Sequence, residues 1–186
     1  MSSPESVALE GTEAAAEALD ELILRARDGE ERAYEEILLM FEGRALAIAH
    51  QMGASRADAE DIAQEAFLKL FRHVGSYKGG RRFTAWFYRI VVNAARDQFR
   101  KKGPATEEIP DGAGEPEAEQ EVGPEGYRRI RAALLLLTER EREVVVLRDL
   151  HGLGTWEVAR ALGLNPITVR RHAQRARKRI RELLDL

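Results

Sequence analysis

Apolar side chains recur along this chain at three- and four-residue steps, the spacing of a helix face, with no convincing strand alternation. Tyr34, Ile37, Leu38, Phe41, Ala45, Ile48, Ala49 and Met52 form one such stripe. A second helix opens at Ser55, an N-cap residue with Asp58 three positions on, and carries Ala59, Ile62, Ala63, Ala66, Phe67, Leu70 and Phe71 inward until Gly75 ends it. A third runs from about Phe83 to Phe99 through Trp86, Phe87, Ile90, Val91 and Ala94. Beyond residue 126 the period returns in Ile130, Ala133, Leu134 and Leu137. Thr138 with Glu141 then makes a capping box for a helix to about Leu150, closed by Gly152. Thr155 reads as the cap of a short helix ending near Gly163. Asn165 and Pro166 supply an N-cap and a first-turn proline for the last helix, which turns Val169, Ala173, Ala176, Ile180 and Leu184 inward. The fold class expected is all-α.

Residues 103–126 interrupt this pattern with eight acids, no base, and Gly103, Pro104, Pro110, Gly112, Gly114, Pro116, Gly123 and Pro124. That is the composition of a flexible acidic linker, so the chain divides into two small helical domains, residues 18–102 and 127–186. In the second, two helices flank a tight glycine-containing turn and the later one is richly basic, which predicts a helix-turn-helix. Residues 1–17 offer few large apolar groups and read as a disordered acidic tail.

Charge sharpens the picture. Residues 1–21 and 103–126 hold 14 of the 32 carboxylates and no Lys or Arg, leaving 29 bases against 18 acids elsewhere. A basic body with acidic appendages suits a polyanionic partner, because Lys and Arg gain affinity by releasing counterions from phosphates. From Ile167 to Arg181 there are seven bases and no acid. With Val169, Ala173 and Ala176 inward, Thr168, Arg170, Arg171 and Gln174 project outward where a recognition helix meets base edges. Arg175 and Lys178, further along, suit phosphates. Residues 69–102 hold ten bases and one acid, Asp97, interleaved with aromatic rings, the composition of a platform for single strands. Periodicity buries Phe83, Phe87 and Phe99, leaving Tyr77, beside Lys78, Arg81 and Arg82, as the ring best placed for an unpaired base. Trp86 stays open between core and DNA contact.

Other chemistry is sparse. The chain has no cysteine, and His50, His73, His151 and His172 are scattered, so no metal site or cofactor is expected. The longest apolar run, Ala132 to Leu137, falls far short of the roughly 20 residues that span a bilayer, and the first twenty residues hold no Lys or Arg to open a signal peptide. A cytoplasmic location without membrane insertion is expected. Gly79-Gly80 is too short for a phosphate loop, and no nucleophile, base and orienter stand together, so no catalysis is expected. A nucleic-acid-processing enzyme would need clustered carboxylates, and the cluster Asp58, Glu60, Asp61 and Glu65 has no partner pattern elsewhere. An autonomous helix-turn-helix repressor remains a rival that accounts for residues 127–186 but not for the aromatic and basic first domain.

Three stretches carry a resemblance: Asp58-Ala-Glu-Asp-Ile-Ala-Gln-Glu-Ala-Phe-Leu68; Phe83-Thr-Ala-Trp-Phe-Tyr-Arg-Ile followed by Asn93 and Asp97; and Thr168-Val-Arg followed by Arg175-Ala-Arg177. In this order, with the linker between, the chain from about residue 19 resembles an extracytoplasmic-function (ECF) sigma factor, a dissociable specificity subunit of bacterial RNA polymerase. The resemblance implies that residues 18–102 bind the clamp helices of the largest catalytic subunit of core RNA polymerase through Asp61, Gln64, Glu65 and Leu68. It implies that the same domain captures a base flipped from the minus-ten element, with Tyr77, Lys78, Arg81, Arg82, Trp86, Asn93 and Arg96 on the DNA. Residues 127–186 would read the minus-thirty-five element through Thr155, Thr168, Arg170, Arg171, Gln174, Arg175 and Lys178. The linker would lie in the polymerase's positive channel, and an anti-sigma factor is an expected partner beside promoter DNA. Asn165-Pro166-Ile167 departs from the small-residue or glycine start usual in the family, which bears on promoter sequence and not on fold. His172, on the outward side of the same helix, reads as solvated.

Overall fold

The computed structural model describes residues 4–77, 83–102 and 118–184. Regular structure among them is helical throughout: α1 (Pro4–Arg27), α2 (Glu31–Met52), α3 (Arg56–His73), α4 (Phe83–Lys102), α5 (Ala118–Leu135), α6 (Glu139–Val145), α7 (Thr155–Leu162) and α8 (Pro166–Leu184). A 3₁₀ turn, Val74–Ser76, follows α3, and a π-helical turn, Val146–Leu150, prolongs α6. No helix among the described residues is long and apolar enough to cross a membrane.

Local chemistry explains the starts of four of these eight helices. Ser55 Oγ accepts the Asp58 backbone N–H at 3.2 Å, and Thr138 and Glu141 close a reciprocal capping box. Before α8, Asn165 Oδ1 accepts the Ile167 N–H at 2.7 Å. Thr155, expected as a cap, is instead the first residue of α7. Gly154 takes the N-cap position because its N–H donates to Glu157 Oε2 at 2.8 Å, so a carboxylate reaching back three residues starts the helix one position early.

Two expectations about the termini of the domains are corrected. The stretch 1–17, read as a disordered tail, is helical from Pro4 onward. Its alanines and glutamates are strong helix formers, and α1 is anchored further on by Leu22, Ile23 and Ala26, which are buried; from that anchor each added turn costs little. Of the stretch read as a linker, residues 103–117 lie outside the described residues, while α5 already begins at Ala118 and is interrupted at Gly123 (φ 74°).

The first domain, α1–α4, is organised around rings. Phe41 lies edge-on to both Phe83 and Phe87 at 5.3 Å between centroids, and Phe67 lies 5.1 Å from Phe87. Phe83 and Phe87 are buried as the periodicity requires, whereas Phe99 is half-buried. In the second domain, α5–α8, Leu134, Val144, Leu147, Val158, Val169 and Ala176 close the core.

The two domains dock. The hydrophobic core runs continuously from one into the other, and the junction sets α2 and α4 against α5, α6 and α7. Gly53 ends α2 with φ 113°, and a Cβ there would stand 3.0 Å from Leu135 Cδ2, so this glycine permits both the turn and the approach of α5. The Arg142 guanidinium donates to Leu134 O and Leu135 O at 2.9 Å, to Leu137 O at 3.3 Å, and across the junction to Met52 O at 2.8 Å. Arg131 Nη2 donates to Ala54 O at 3.1 Å. Arg96 of α4 pairs with Glu143 of α6, whose side chain is fully buried and also receives Arg140 at 3.0 Å. His151 Nε2 donates to Gln51 Oε1 at 2.8 Å, and its ring stands edge-on to Tyr88 at 5.4 Å.

Burial pushes the His151 imidazole down to about 4, and the nearby Arg44 charge adds to the effect. The folded protein thus holds His151 neutral in a range where the unfolded chain, near 6.5, takes up a proton. Stability from this site is complete above pH 6.5 and is lost as the pH falls towards 4, by about 3 kcal/mol. Urea denaturation across that window should show a shallower acid loss in His151→Gln than in the parent; identical slopes would contradict a neutral buried imidazole. Arg142→Ala strips donors from four carbonyls and should cost about 3 kcal/mol, read as a lowered melting temperature.

Candidate nucleic-acid interface

In the helix-turn-helix, Val158, Ala159 and Leu162 of α7 pack with Val169, Ala173 and Ala176 of α8, and Gly163 (φ 65°) makes the turn between them. That packing fixes which side of α8 faces outward. Arg170, Arg171, Gln174, Arg175 and Lys178 are exposed, and Thr155 and Thr168 are half-buried. Lys178 stands 3.8 Å from Glu182 on its own helix, and two other bases of the run are tied to other elements. Arg177 makes a bidentate pair with Asp149, at 2.8 and 2.6 Å, and Arg179 reaches Glu141 at 2.9 Å. The bond to Asp149 raises the Arg177 pKa. Burial would raise the Glu141 carboxyl, but Thr138 and Arg179 outweigh it and hold the group below its ordinary value. His172, read as solvated, is half-buried instead. Its Nδ1 is enclosed in the cleft where α8 meets the first turn of α6.

On α3, Asp61, Gln64, Glu65 and Leu68 are exposed, opposite the buried Ile62, Ala66, Phe67 and Leu70. Asp61 and Glu65 line a shallow groove with Lys69 and, from α4, Asp97 and Arg100. Lys69 bridges the groove, 3.5 Å from Glu65 and 3.4 Å from Asp97. Asp58 lies apart from this set: Lys102 pairs with it and, with Ser55 and Gln98, holds its carboxyl below the usual range against the effect of burial.

The residues expected on the minus-ten element are distributed differently. Lys78, Arg81 and Arg82 lie outside the described residues. Tyr77 is half-buried, not a ring standing clear of the fold. Its hydroxyl donates to Asp20 Oδ1 at 2.6 Å, and its ring stacks on Trp86 at 5.9 Å and meets Phe83 edge-on at 5.7 Å. Burial, with the Asp20 bond, raises its pKa. Trp86 is half-buried, packed on Tyr77 and Phe83. Asn93 Oδ1 accepts from Arg96 Nη1 at 3.2 Å, and Arg96 also lies 3.5 Å from Glu139, besides its pair with Glu143. Arg96 therefore faces the second domain in this arrangement. Sequence reasoning missed Asp20, Glu143 and Arg142. Glu143, a carboxylate directly before the apolar run Val144 to Leu147, was the one signal available.

Comparison with known proteins identifies both domains. The Sigma-70 region 2 family matches residues 39–104, and the Sigma-70, region 4 family matches residues 127–180. RNA polymerase sigma factor CarQ of Myxococcus xanthus is 33% identical over 165 residues, covering 86% of this chain and 94% of CarQ. ECF RNA polymerase sigma factor SigE of Mycolicibacterium smegmatis is 31% identical over 159 residues, 82% of this chain, which spans 62% of SigE's length. The solved structure of CnrH, a sigma factor of Cupriavidus metallidurans, in complex with the cytosolic domain of CnrY is similar at a TM-score of 0.69 and 29% identity, covering 89% of this chain and 96% of that one. The chain belongs to the ECF sigma factors of RNA polymerase. The family and the all-α, two-domain fold expected from the sequence are those found.

The internal commitments divide the basic run into two kinds of residue. Arg177→Ala should lower stability by about 1 kcal/mol through loss of the Asp149 pair, whereas Arg171→Ala should stay within about ±0.5 kcal/mol. Thermal melts of the two variants check this, and equal melting temperatures would remove the distinction.

Proposed function

We propose that this chain docks on core RNA polymerase through Asp61, Gln64, Glu65 and Leu68, reads the minus-thirty-five element through α8, and holds melted minus-ten bases with the Tyr77 to Arg96 region. The observation that carries this reading is one chain with two exposed faces of opposite character, in the family's order. The α3 face is acidic with an exposed leucine and suits a protein partner. The α8 face is basic with side chains able to make bidentate contacts and suits the major groove. The role is positioning and strand capture, without catalysis by the chain itself, and it belongs in the cytoplasm, where polymerase and promoter DNA are.

Contact of Arg96 with DNA requires it to leave Glu143 and Glu139, so promoter engagement parts α4 from α6. A partner that keeps the domains together would hold the factor inactive. An anti-sigma factor is such a partner, and its proposal for this chain is supported by the complex of CnrH with the cytosolic domain of CnrY. The acidic stretch between the domains suits the polymerase's positive channel by charge complementarity.

Transcription reconstituted from purified core polymerase and a promoter pool tests the reading. Asp61→Lys and Glu65→Lys should weaken core binding without changing the melting temperature. Tyr77→Ala and Asn93→Ala should bind core normally but open duplex promoters slowly, read by permanganate reactivity of exposed thymines, and recover in part on a promoter already unpaired at the minus-ten region. Stacking a base on a ring contributes about 1–3 kcal/mol, so Tyr77→Phe, which keeps the ring and loses the Asp20 bond, should open near the parental rate. Tight duplex binding without polymerase, and no promoter opening with it, would favour the repressor.

A further inference from the structure

Ile167 has no place in the core of the second domain. It is 69% exposed, at the second position of α8, where the bond from its N–H to Asn165 Oδ1 fixes the backbone. At about 100° per residue, and taking Val169 as the inward direction, Ile167 points about 160° away from the core. Gln174 and Lys178 point about 140° and 180° away on the same reckoning, and Arg171 about 160° from the other side. Ile167 therefore stands on the midline of the outward face. Helical side chains lean towards the N-terminus, so it reaches beyond the first turn, the end of a recognition helix that enters a groove.

Single exposed apolar residues are common on proteins and need no partner. This one is set among Thr168, Arg170, Arg171 and Gln174, on a stretch without an acid from Ile167 to Arg181. A partner that fits must be polyanionic and must offer an apolar group at the depth reached by the helix tip. The major groove of duplex DNA meets both conditions, and the apolar group it displays is the C5-methyl of thymine. An acidic protein would match the charge but would leave Gln174 and Arg171 without the base edges their geometry fits.

We propose that Ile167 is a specificity-determining residue that packs on the C5-methyl of a thymine in the upstream promoter element. The proposal rests on the reading that α8 reads this element. It adds an apolar contact to the hydrogen-bonding set of Thr168, Arg170, Arg171 and Gln174, and it selects thymine by shape where those residues select by donors and acceptors.

The test uses the full chain with core polymerase. Transcription from promoters randomised upstream selects the preferred element, and each thymine in it is then replaced singly by deoxyuridine, which removes the methyl and keeps every hydrogen bond. One replacement should weaken parental holoenzyme binding about three- to fourfold, the weight of one buried methyl group. Ile167→Ala should bind thymine and uracil versions alike with unchanged core affinity, and Ile167→Val should keep part of the discrimination. The proposal is overturned if the selected element lacks thymine, if no uracil replacement affects the parent, or if Ile167→Ala still discriminates. Loss of core polymerase affinity in Ile167→Ala would also overturn it, by assigning the residue to a protein partner. A pool that yields no preferred upstream sequence would instead sink the reading of α8 itself, and the proposal with it.

Discussion

Adjacent charges, on the half-buried Arg142 and the fully buried Glu143, decide how the two halves of this molecule meet. A charge taken out of water without partners costs several kcal/mol, so each must be matched where it lies. Arg142 is matched by carbonyls at the end of α5, which have no partner within that helix, and by Met52 at the end of α2. Glu143 is matched by Arg140 of its own helix and by Arg96 of the first domain. Each charge thus has a partner at home and one abroad. With the bonds of Arg131 to Ala54 O and of His151 to Gln51, these contacts set polar points in an otherwise apolar junction, the make-up of a surface able to part, since at Arg142 and Glu143 water can replace the foreign partner while the domestic one remains.

The same junction sorts the functional candidates. The α3 face carrying Asp61 and Glu65 is exposed while the domains are docked, whereas Arg96 is taken up by the second domain. Under the proposed function, polymerase can be engaged first and the minus-ten contact completed later, as α4 comes away from α6. Burial of His151 beside Gln51 and Tyr88 works in the opposite direction, holding the docked form together near neutral pH.

Apart from α1, the helices of both domains were legible in the sequence because their causes are local. Ser55, Thr138 and Asn165 announce helix starts, and three- and four-residue spacing identifies the buried face of α3 and α8 before any contact is known. What was illegible is what depends on distant residues. Arg96 meets Glu143 across 47 positions, Arg142 meets Met52 across 90, and His151 meets Gln51 across 100. No spacing rule anticipates such pairs. Tyr77 was singled out as the ring left between helices once periodicity buries Phe83, Phe87 and Phe99, while the carboxylate that holds it, Asp20, comes from a helix 57 residues earlier. Helix α1 as a whole was missed for a different reason: its first turns rest on helix propensity, and its buried Leu22, Ile23 and Ala26 fall within a little over one turn, too short a stripe to mark a period.

The internal pairing of Arg177 and Arg179 changes how the basic helix would behave towards electrolyte. Of the seven bases between Ile167 and Arg181, these two have close carboxylate partners on other elements, Asp149 and Glu141, whereas Lys178 has only the exposed Glu182 at 3.8 Å, so Arg177 and Arg179 displace few cations from a nucleic acid. Each phosphate neutralised contributes about −0.9 to the slope of log affinity against log salt, and the count that enters this slope is the smaller number of uncommitted bases. A helix that is strongly basic in composition is therefore restrained in its ionic grip. A weaker grip on the backbone shortens dwell at arbitrary sites and leaves discrimination between promoters to the side chains that touch bases.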